Sequence, residues 1–380
     1  MAVTDAPVSL EFDPTDLQTV KKIKYPNTIT QNGGQELFST AHPATASDGS
    51  TINYVLELNL NFGGTNRALI VRTEANLNRS VVGSVAVAGI PYVHDISVTD
   101  RYAVLAVWSL RLPYSALVKG KGFLPQLEWC PVEQPETKIY VFDLLNAQNG
   151  GADPLATFDA PAMFSYHHIN AFESAKGDIV MDVSGYRDPA IINGQHGFAY
   201  LANVKSAELR KKQERDAKWM RFVLPVSSQL SGRVQPRELR ACDELGQHYT
   251  AELVTINPLY ARKQHRYSYG FTGFAGVGAN AGGFEKWAII KLDHNPDSSD
   301  VGAPTVKVWA QNNLYPSEPI FVPSPEGGAA EDDGVILSQV FDADRRDSFL
   351  LVLDAVSLKE LGRAYLGMVC PLSFHGMWVG

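Results

Sequence analysis

Short apolar runs, each closed by turn residues, recur along the whole chain and limit what it can fold into. INYVLELNL (52–60), ALIVRT (68–73), YAVLAVW (102–108), KIYVFDLL (138–145), DIVMDVSGY (178–186), KWAIIKL (286–292), VKVWA (306–310), GVILSQVF (334–341) and FLLVLD (349–354) are rich in Val, Ile, Leu and aromatic residues. Such residues suit a pleated, half-buried surface, so each run is predicted to be a strand. DG, GG, NP and SP dipeptides lie between them and mark turns. With 31 Gly and 22 Pro in 380 residues, tight connections are favoured over long helices. Only KSAELRKKQERDAKWMRF (205–222) tempts a helix over its first half, and its charge marks it as a surface excursion between strands. Many short antiparallel strands leave a sandwich pair, a large barrel or a propeller, and no repeating WD-type signature chooses among them. No clear linker interrupts the chain, so 1–380 is expected to form a single domain.

Composition excludes several functions. A net charge of −8 offers no basic patch to neutralise phosphates, which argues against a nucleic-acid partner. Cys130, Cys242 and Cys370 are too few and too widely spaced for a disulfide framework or a CxxC metal site. They read as buried structural thiols in a reducing compartment. No apolar run reaches the roughly 18 residues of a membrane span. MAVTDAPVSLEF lacks the basic-then-apolar order of a secretory signal, so the expected address is cytoplasmic.

GxGxxG, HExxH and GxSxG patterns are absent, which removes support for phosphate-loop, zinc-protease and hydrolase readings. Among nine histidines, four settings stand out: TAHPATASDG around His42, YVHDISVTDRY around His94, FSYHHINAFE around His167 and His168, and SFHGMW around His375. Singly, each says little, since a lone histidine beside a strand is more often hydrogen-bonded in the core or on the surface than a ligand.

Together these settings resemble the four iron-ligand motifs of the carotenoid cleavage oxygenases, in the family's order. YPSEPIFVPSPEGGAAEDDGVILSQVFD (315–342) and FLLVLDAVSLKELGRAYL (349–366) are also similar to the family pattern, and the resemblance runs from about Val3 to the C-terminus. It implies an all-β, seven-bladed β-propeller with Fe(2+) on its axis. The implied metal ligands are His42, His94, His167 and His375; His168 is left to packing or hydrogen bonding. Imidazole suits iron, and ligands distant in sequence can converge from separate blades. Four ligands on an octahedral ion leave two positions for O2 or solvent. Ligating histidines commonly donate their second N–H to a carboxylate. The resemblance implies Glu252 behind His167, Glu318 behind His375 and Asp5 behind His94. Asp5 stands where the family has glutamate, one methylene longer, so a strained, water-mediated or absent link is expected there. The family pattern also starts upstream of Val3, so an incomplete propeller lacking its N-terminal portion is expected.

The resemblance implies a non-heme iron(II) dioxygenase (an oxidoreductase) that takes O2 and a hydrophobic polyene and cleaves a conjugated double bond of a carotenoid or apocarotenoid. INPLYARKQHRYSYG (256–270) is similar to carotenoid-cleaving fungal members. Stilbene cleavage, isomerohydrolase chemistry and a catalytically dead polyene-binding pseudoenzyme are the alternatives. WSLRLPYSALVKGKGFLPQLEW (108–129) carries Trp108, Leu112, Leu117, Phe123, Leu124 and Trp129 with Lys119 and Lys121. It reads either as a peripheral membrane contact at a tunnel mouth or as an ordinary loop packed on the propeller.

Overall fold

The computed structural model describes residues 2–31, 33–61, 64–119, 126–130, 136–146, 151–188, 217–243, 248–250, 252–272, 287–294, 305–325, 330–371 and 374–379. Among them the regular structure is β-strand, with two short 3-10 turns, Tyr114–Leu117 and Pro258–Tyr260, and no α-helix. The described residues contain no helix long and apolar enough to cross a membrane. The helix-tempting stretch 205–216 lies outside the described residues, and 217–222 enters the strand Lys218–Leu224.

The chain packs as two compact units. The first comprises Met1–Met181, Arg187–Asn193 and Phe222–Pro236, and the second comprises Asp182–Tyr186, Gly194–Arg221 and Arg237–Gly380.

In the first unit, Gln35–Ser39, Thr51–Leu58, Asn66–Thr73 and Arg79–Val87 form an antiparallel sheet in that order, with Ala44–Thr45 on the edge of Thr51–Leu58. A second sheet runs Ser97–Val98, Tyr102–Val107, Glu136–Asp143, Ala156–Pro161 and Ser231–Arg233, its last pairing parallel. Every residue of Tyr102–Val107 is buried, which explains why this strand reads as an unbroken apolar run. Gly83 lies against the Phe142 ring, where a β-carbon would collide with it, so glycine permits this close approach. Ala2–Val3, Ser9–Phe12 and Thr19–Lys22 form a small sheet at the N-terminal end.

In the second unit, Glu252–Thr255, Tyr267–Thr272, Ala288–Asp293 and Val306–Trp309 form one antiparallel sheet. Leu314–Pro316, Gly334–Asp342, Asp347–Asp354 and Glu360–Tyr365 form another, with Ile320–Pro323 also paired to Gly334–Asp342. Burial alternates along Gly334–Asp342, and its inward Ile336 and Val340 join Phe349, Leu351 and Leu353 in one apolar cluster. This is the period-two pattern of a strand with one covered face.

The described part of 108–129 divides between core and surface. Trp108 and Leu112 are core residues, 0% and 4% exposed, while Trp129 is half-buried. They fill the interior because Leu110–Leu112 is the middle strand of a small sheet with Glu128–Trp129 and Ile90–Pro91. Leu117 is exposed; Lys121, Phe123 and Leu124 lie outside the described residues. Cys130 and Cys242 are buried free thiols, whereas Cys370 is only half-buried.

Candidate metal centre

Three histidines meet in the first unit, each delivered by a different piece of backbone. His42 precedes Pro43, and proline biases the residue before it toward extended conformation. His42 accordingly makes a parallel bridge with Asp95. Its N–H donates to Thr40 Oγ1 (3.2 Å), and buried Thr40 donates in turn to Asn53 Oδ1 (2.7 Å). His94 sits between the short strands Ile90–Pro91 and Ser97–Val98, and His167 lies on the strand Phe164–Glu173.

The three imidazoles form a nearly equilateral triangle. Ring centroids are 4.9 Å apart for His42–His94 and for His42–His167, and 5.2 Å apart for His94–His167. Their ligand nitrogens lie within 4.8 Å of one another. Metal–imidazole bonds of about 2.1 Å put two nitrogens at most ~4.2 Å apart. Nitrogens gathered this closely are placed to share one ion.

Asp5 decides how His94 is presented. His94 Nδ1 lies 2.9 and 3.0 Å from the two oxygens of the Asp5 carboxylate, so the proton sits on Nδ1 and the Nε2 lone pair is left to face the other two rings. Tyr92 also donates to Asp5 Oδ2 (2.9 Å). Its hydroxyl lies 3.0 Å from His94 Nδ1, but both groups are donors directed at the same carboxylate. Burial, then the Asp5 charge, raises the Tyr92 phenol far above its ordinary range, so it stays protonated.

The shorter aspartate was expected to strain, wet or break this link, and in the structure the contact is direct. The reason is in the backbone: Ser39 N–H donates to Asp5 O (2.9 Å), while Ser39 Oγ donates to Thr4 O (3.2 Å) and Ala6 O (3.0 Å). These bonds tie the main chain around Asp5 to Ser39, three residues before His42.

The two adjacent histidines separate for a simple reason. Successive side chains of a strand point to opposite faces, so His167 and His168 cannot both enter one cluster. His168 turns instead to Ser97 Oγ, 2.7 Å from its Nδ1, and meets Trp108 edge-on. Burial, followed by the positive charges of His167 and His94 were they protonated, pushes His168 down to about 3, so it is neutral at ordinary pH.

His375 and Glu318 belong to the second unit and repeat the His94–Asp5 arrangement. Glu318 Oε1 accepts from His375 Nδ1 (3.0 Å), and Oε2 accepts from the Gly376 amide (2.8 Å). The proton is thus fixed on Nδ1 here too. Glu252, also in the second unit, accepts from the Tyr186 hydroxyl at 2.5 Å. Leu253, next to it, has φ 52° at a register shift in the strand pairing. Such an irregularity re-aims the neighbouring side chain at some cost in strain.

A second cluster of ligand-type residues, Asp182, His265 and His294, also lies in the second unit. Arg221 grips both Asp182 oxygens (Nε–Oδ1 and Nη2–Oδ2, each 2.7 Å). His265 Nε2 stands 3.7 Å from Oδ2, and His294 Nε2 meets Ser268 Oγ at 2.9 Å. The guanidinium already neutralises the carboxylate, and a dication added there would be buried without a counter-charge. The cluster is a forked ion pair with two histidines packed beside it.

These histidines make a pH prediction. Burial pushes His265 down to about 4, with Asp182 opposing the fall and Arg221 adding to it. Burial, then His265, Arg221 and Arg237, pushes His294 well below its ordinary value. Unfolded histidines take up protons near pH 6.5 while these two do not, so stability is full above about pH 6.5 and falls as pH drops toward 4. Each contributes a slope of at most about 1.4 kcal/mol per pH unit. Urea midpoints between pH 7 and 5 should therefore fall less steeply for His265→Gln than for the wild type, and identical slopes would refute the assignment.

Comparison with known proteins now identifies the chain. The family model described as retinal pigment epithelial membrane protein matches residues 1–380. The chain belongs to this family. An Arabidopsis thaliana carotenoid cleavage dioxygenase 8, chloroplastic, is 29% identical, covering 98% of this chain and 60% of its own length. Human beta,beta-carotene 15,15'-dioxygenase is 26% identical (97% of this chain, 68% of its own), and Galleria mellonella carotenoid isomerooxygenase is 27% identical (100% and 70%). A point mutant of the Synechocystis apocarotenoid oxygenase has a TM-score of 0.73 at 20% identity, covering 99% of this chain and 71% of its own. A cobalt-substituted form has a TM-score of 0.72 at 20% identity, covering 97% and 70%. The likeness establishes the carotenoid-oxygenase β-propeller fold. The chain spans about 60% of the length of the plant relative.

Tyr92, Asp95 and Ser97 are the site residues that the sequence reading passed over. All three lie inside or beside the YVHD segment, but nothing local assigned them a role.

Proposed function

We propose that this chain provides the iron(II) centre of a dioxygenase that splits a conjugated double bond of a carotenoid or apocarotenoid. Both atoms of O2 would enter the two carbonyl products. The carrying observation is the triangle of His42, His94 and His167, with the His94 tautomer fixed by Asp5. His375, whose proton is held on Nδ1 by Glu318, is assigned as the fourth ligand, and Glu252 as the carboxylate behind His167. The donor set fits: neutral imidazoles are good ligands for iron, and two of the four present Nε2 because a carboxylate holds the other nitrogen. Iron bound there supplies the redox chemistry with O2. The protein's part is to hold the imidazoles in place, with the Asp5 carboxylate accepting from both His94 Nδ1 and the Tyr92 hydroxyl. The carotenoid substrate class is supported by the names of the plant and human relatives.

The test is to purify the chain without chelators, measure iron per protein, and supply carotenoids or apocarotenoids under labelled O2. The reading expects about one iron per chain, the stoichiometry of a single four-ligand site, and two labelled carbonyl fragments. A folded, iron-free protein overturns it, and an isomerised but uncleaved polyene replaces it with isomerase chemistry. Asp5→Ala should weaken iron binding by roughly 10–100-fold, the usual cost of losing an outer-shell partner. Competition against a chelator measures this, and wild-type affinity would show the carboxylate to be idle.

A further inference from the structure

We propose that Asp95 is a positioning residue, setting the spacing of His42, His94 and His167 without itself binding the ion. The inference rests on the metal-centre reading above. Asp95 follows His94 directly in the chain and is 6% exposed. Its backbone bridges to His42. Its side chain accepts two main-chain hydrogen bonds: Oδ1 from the Ile96 amide (2.7 Å) and Oδ2 from the His168 amide (2.7 Å), one peptide beyond His167. One residue thus joins three ligand-bearing segments that are far apart in sequence. Ser97 adds a parallel tie. It lies two residues along, on the same side of an extended chain, and reaches His168 Nδ1 at 2.7 Å.

The geometry separates this role from ordinary capping of buried amides. A carboxylate that satisfied two arbitrary N–H groups would stabilise the fold and nothing more. Here one amide adjoins a ligand, the bridged residue is itself a ligand, and a third ligand is the preceding residue. Replacing the carboxylate leaves the part-buried His168 amide without its charged acceptor, and charge-assisted bonds of this kind are among the stronger ones. The strand carrying His167 is then free to shift against the His94 segment, and the triangle loses its dimensions.

The experiment uses the 380-residue chain, stripped of metal and titrated with Co(II) alone, following visible absorption. Asp95→Asn presents an N–H where one acceptor stood, whereas Asp95→Glu keeps the charge and both acceptors but lengthens the side chain. The expected result is cobalt binding roughly 10–100-fold weaker, with the band position or intensity of the cobalt-saturated variant altered. A purely structural role would lower the unfolding temperature and leave the saturated spectrum as in the wild type, and that outcome overturns the proposal. Asp95→Glu decides the matter by the same readouts if Asp95→Asn fails to fold. His167→Ala is titrated alongside. Loss of cobalt binding there with an unchanged Asp95→Asn spectrum rejects the Asp95 role alone. Wild-type binding by His167→Ala rejects the metal centre and this proposal with it.

Discussion

His167→Ala is expected to leave the purified chain essentially without iron and without double-bond cleavage, while His168→Ala retains the metal. The two residues are neighbours of the same chemical type, so composition cannot account for a difference. The strand can, because its alternation sends His167 into the triangle with His42 and His94 and His168 toward Ser97 and Trp108. Removing a direct ligand should cost more than the roughly 10–100-fold typical of an outer-shell partner. Iron affinity in His167→Ala should therefore fall by more than about 100-fold, measured by chelator competition. His168→Ala loses a buried, neutral side chain, and its effect should appear chiefly as a lower unfolding temperature. Iron retained by the first variant and lost by the second would reverse the assignment.

Asp182→Ala should be strongly destabilising although it lies outside the metal centre. Asp182 is fully buried and holds the Arg221 guanidinium by two bonds of 2.7 Å, while the Arg221 side chain is itself only 13% exposed. Truncation strands a buried positive charge beside His265 and His294, at a cost of about 3–5 kcal/mol. Replacing both partners with apolar residues of similar size removes the stranded charge, and the double variant Asp182→Leu/Arg221→Met should recover most of that loss. Urea unfolding of the three proteins distinguishes the cases. If the double variant is no more stable than the single one, the penalty comes from lost packing and the charge argument fails.

Much of the fold was legible because strand formation is local. The runs at 52–60, 68–73, 102–108, 138–145, 178–186, 306–310, 334–341 and 349–354 correspond to strands displaced by only a residue or two at their ends. Arg79–Val87 escaped notice: small residues (Ser80, Gly83, Ser84 and Ala86) interrupt it, and its strand character comes from pairing with Asn66–Thr73. For a related reason the sequence could not place Trp108 and Leu112 in the core, since an apolar side chain looks alike whether it meets a bilayer or a core. Burial within the small sheet made that choice.

The sequence by itself determined the four distinctive histidine settings, the family and the strand-rich class. It also contained the reason that only one residue of the HH pair joins the triangle, because period-two alternation is a property of any strand. Tertiary structure alone decided that Asp5 reaches His94 despite its short side chain, that Tyr92 shares the carboxylate, that Asp95 joins the segments carrying His42, His94 and His167, and that Asp182 answers Arg221. Each of these depends on the closing of chain loops tens of residues long. No local propensity records such contacts; they exist only once burial of the sheets has brought distant backbones together and left their polar groups to find partners without water.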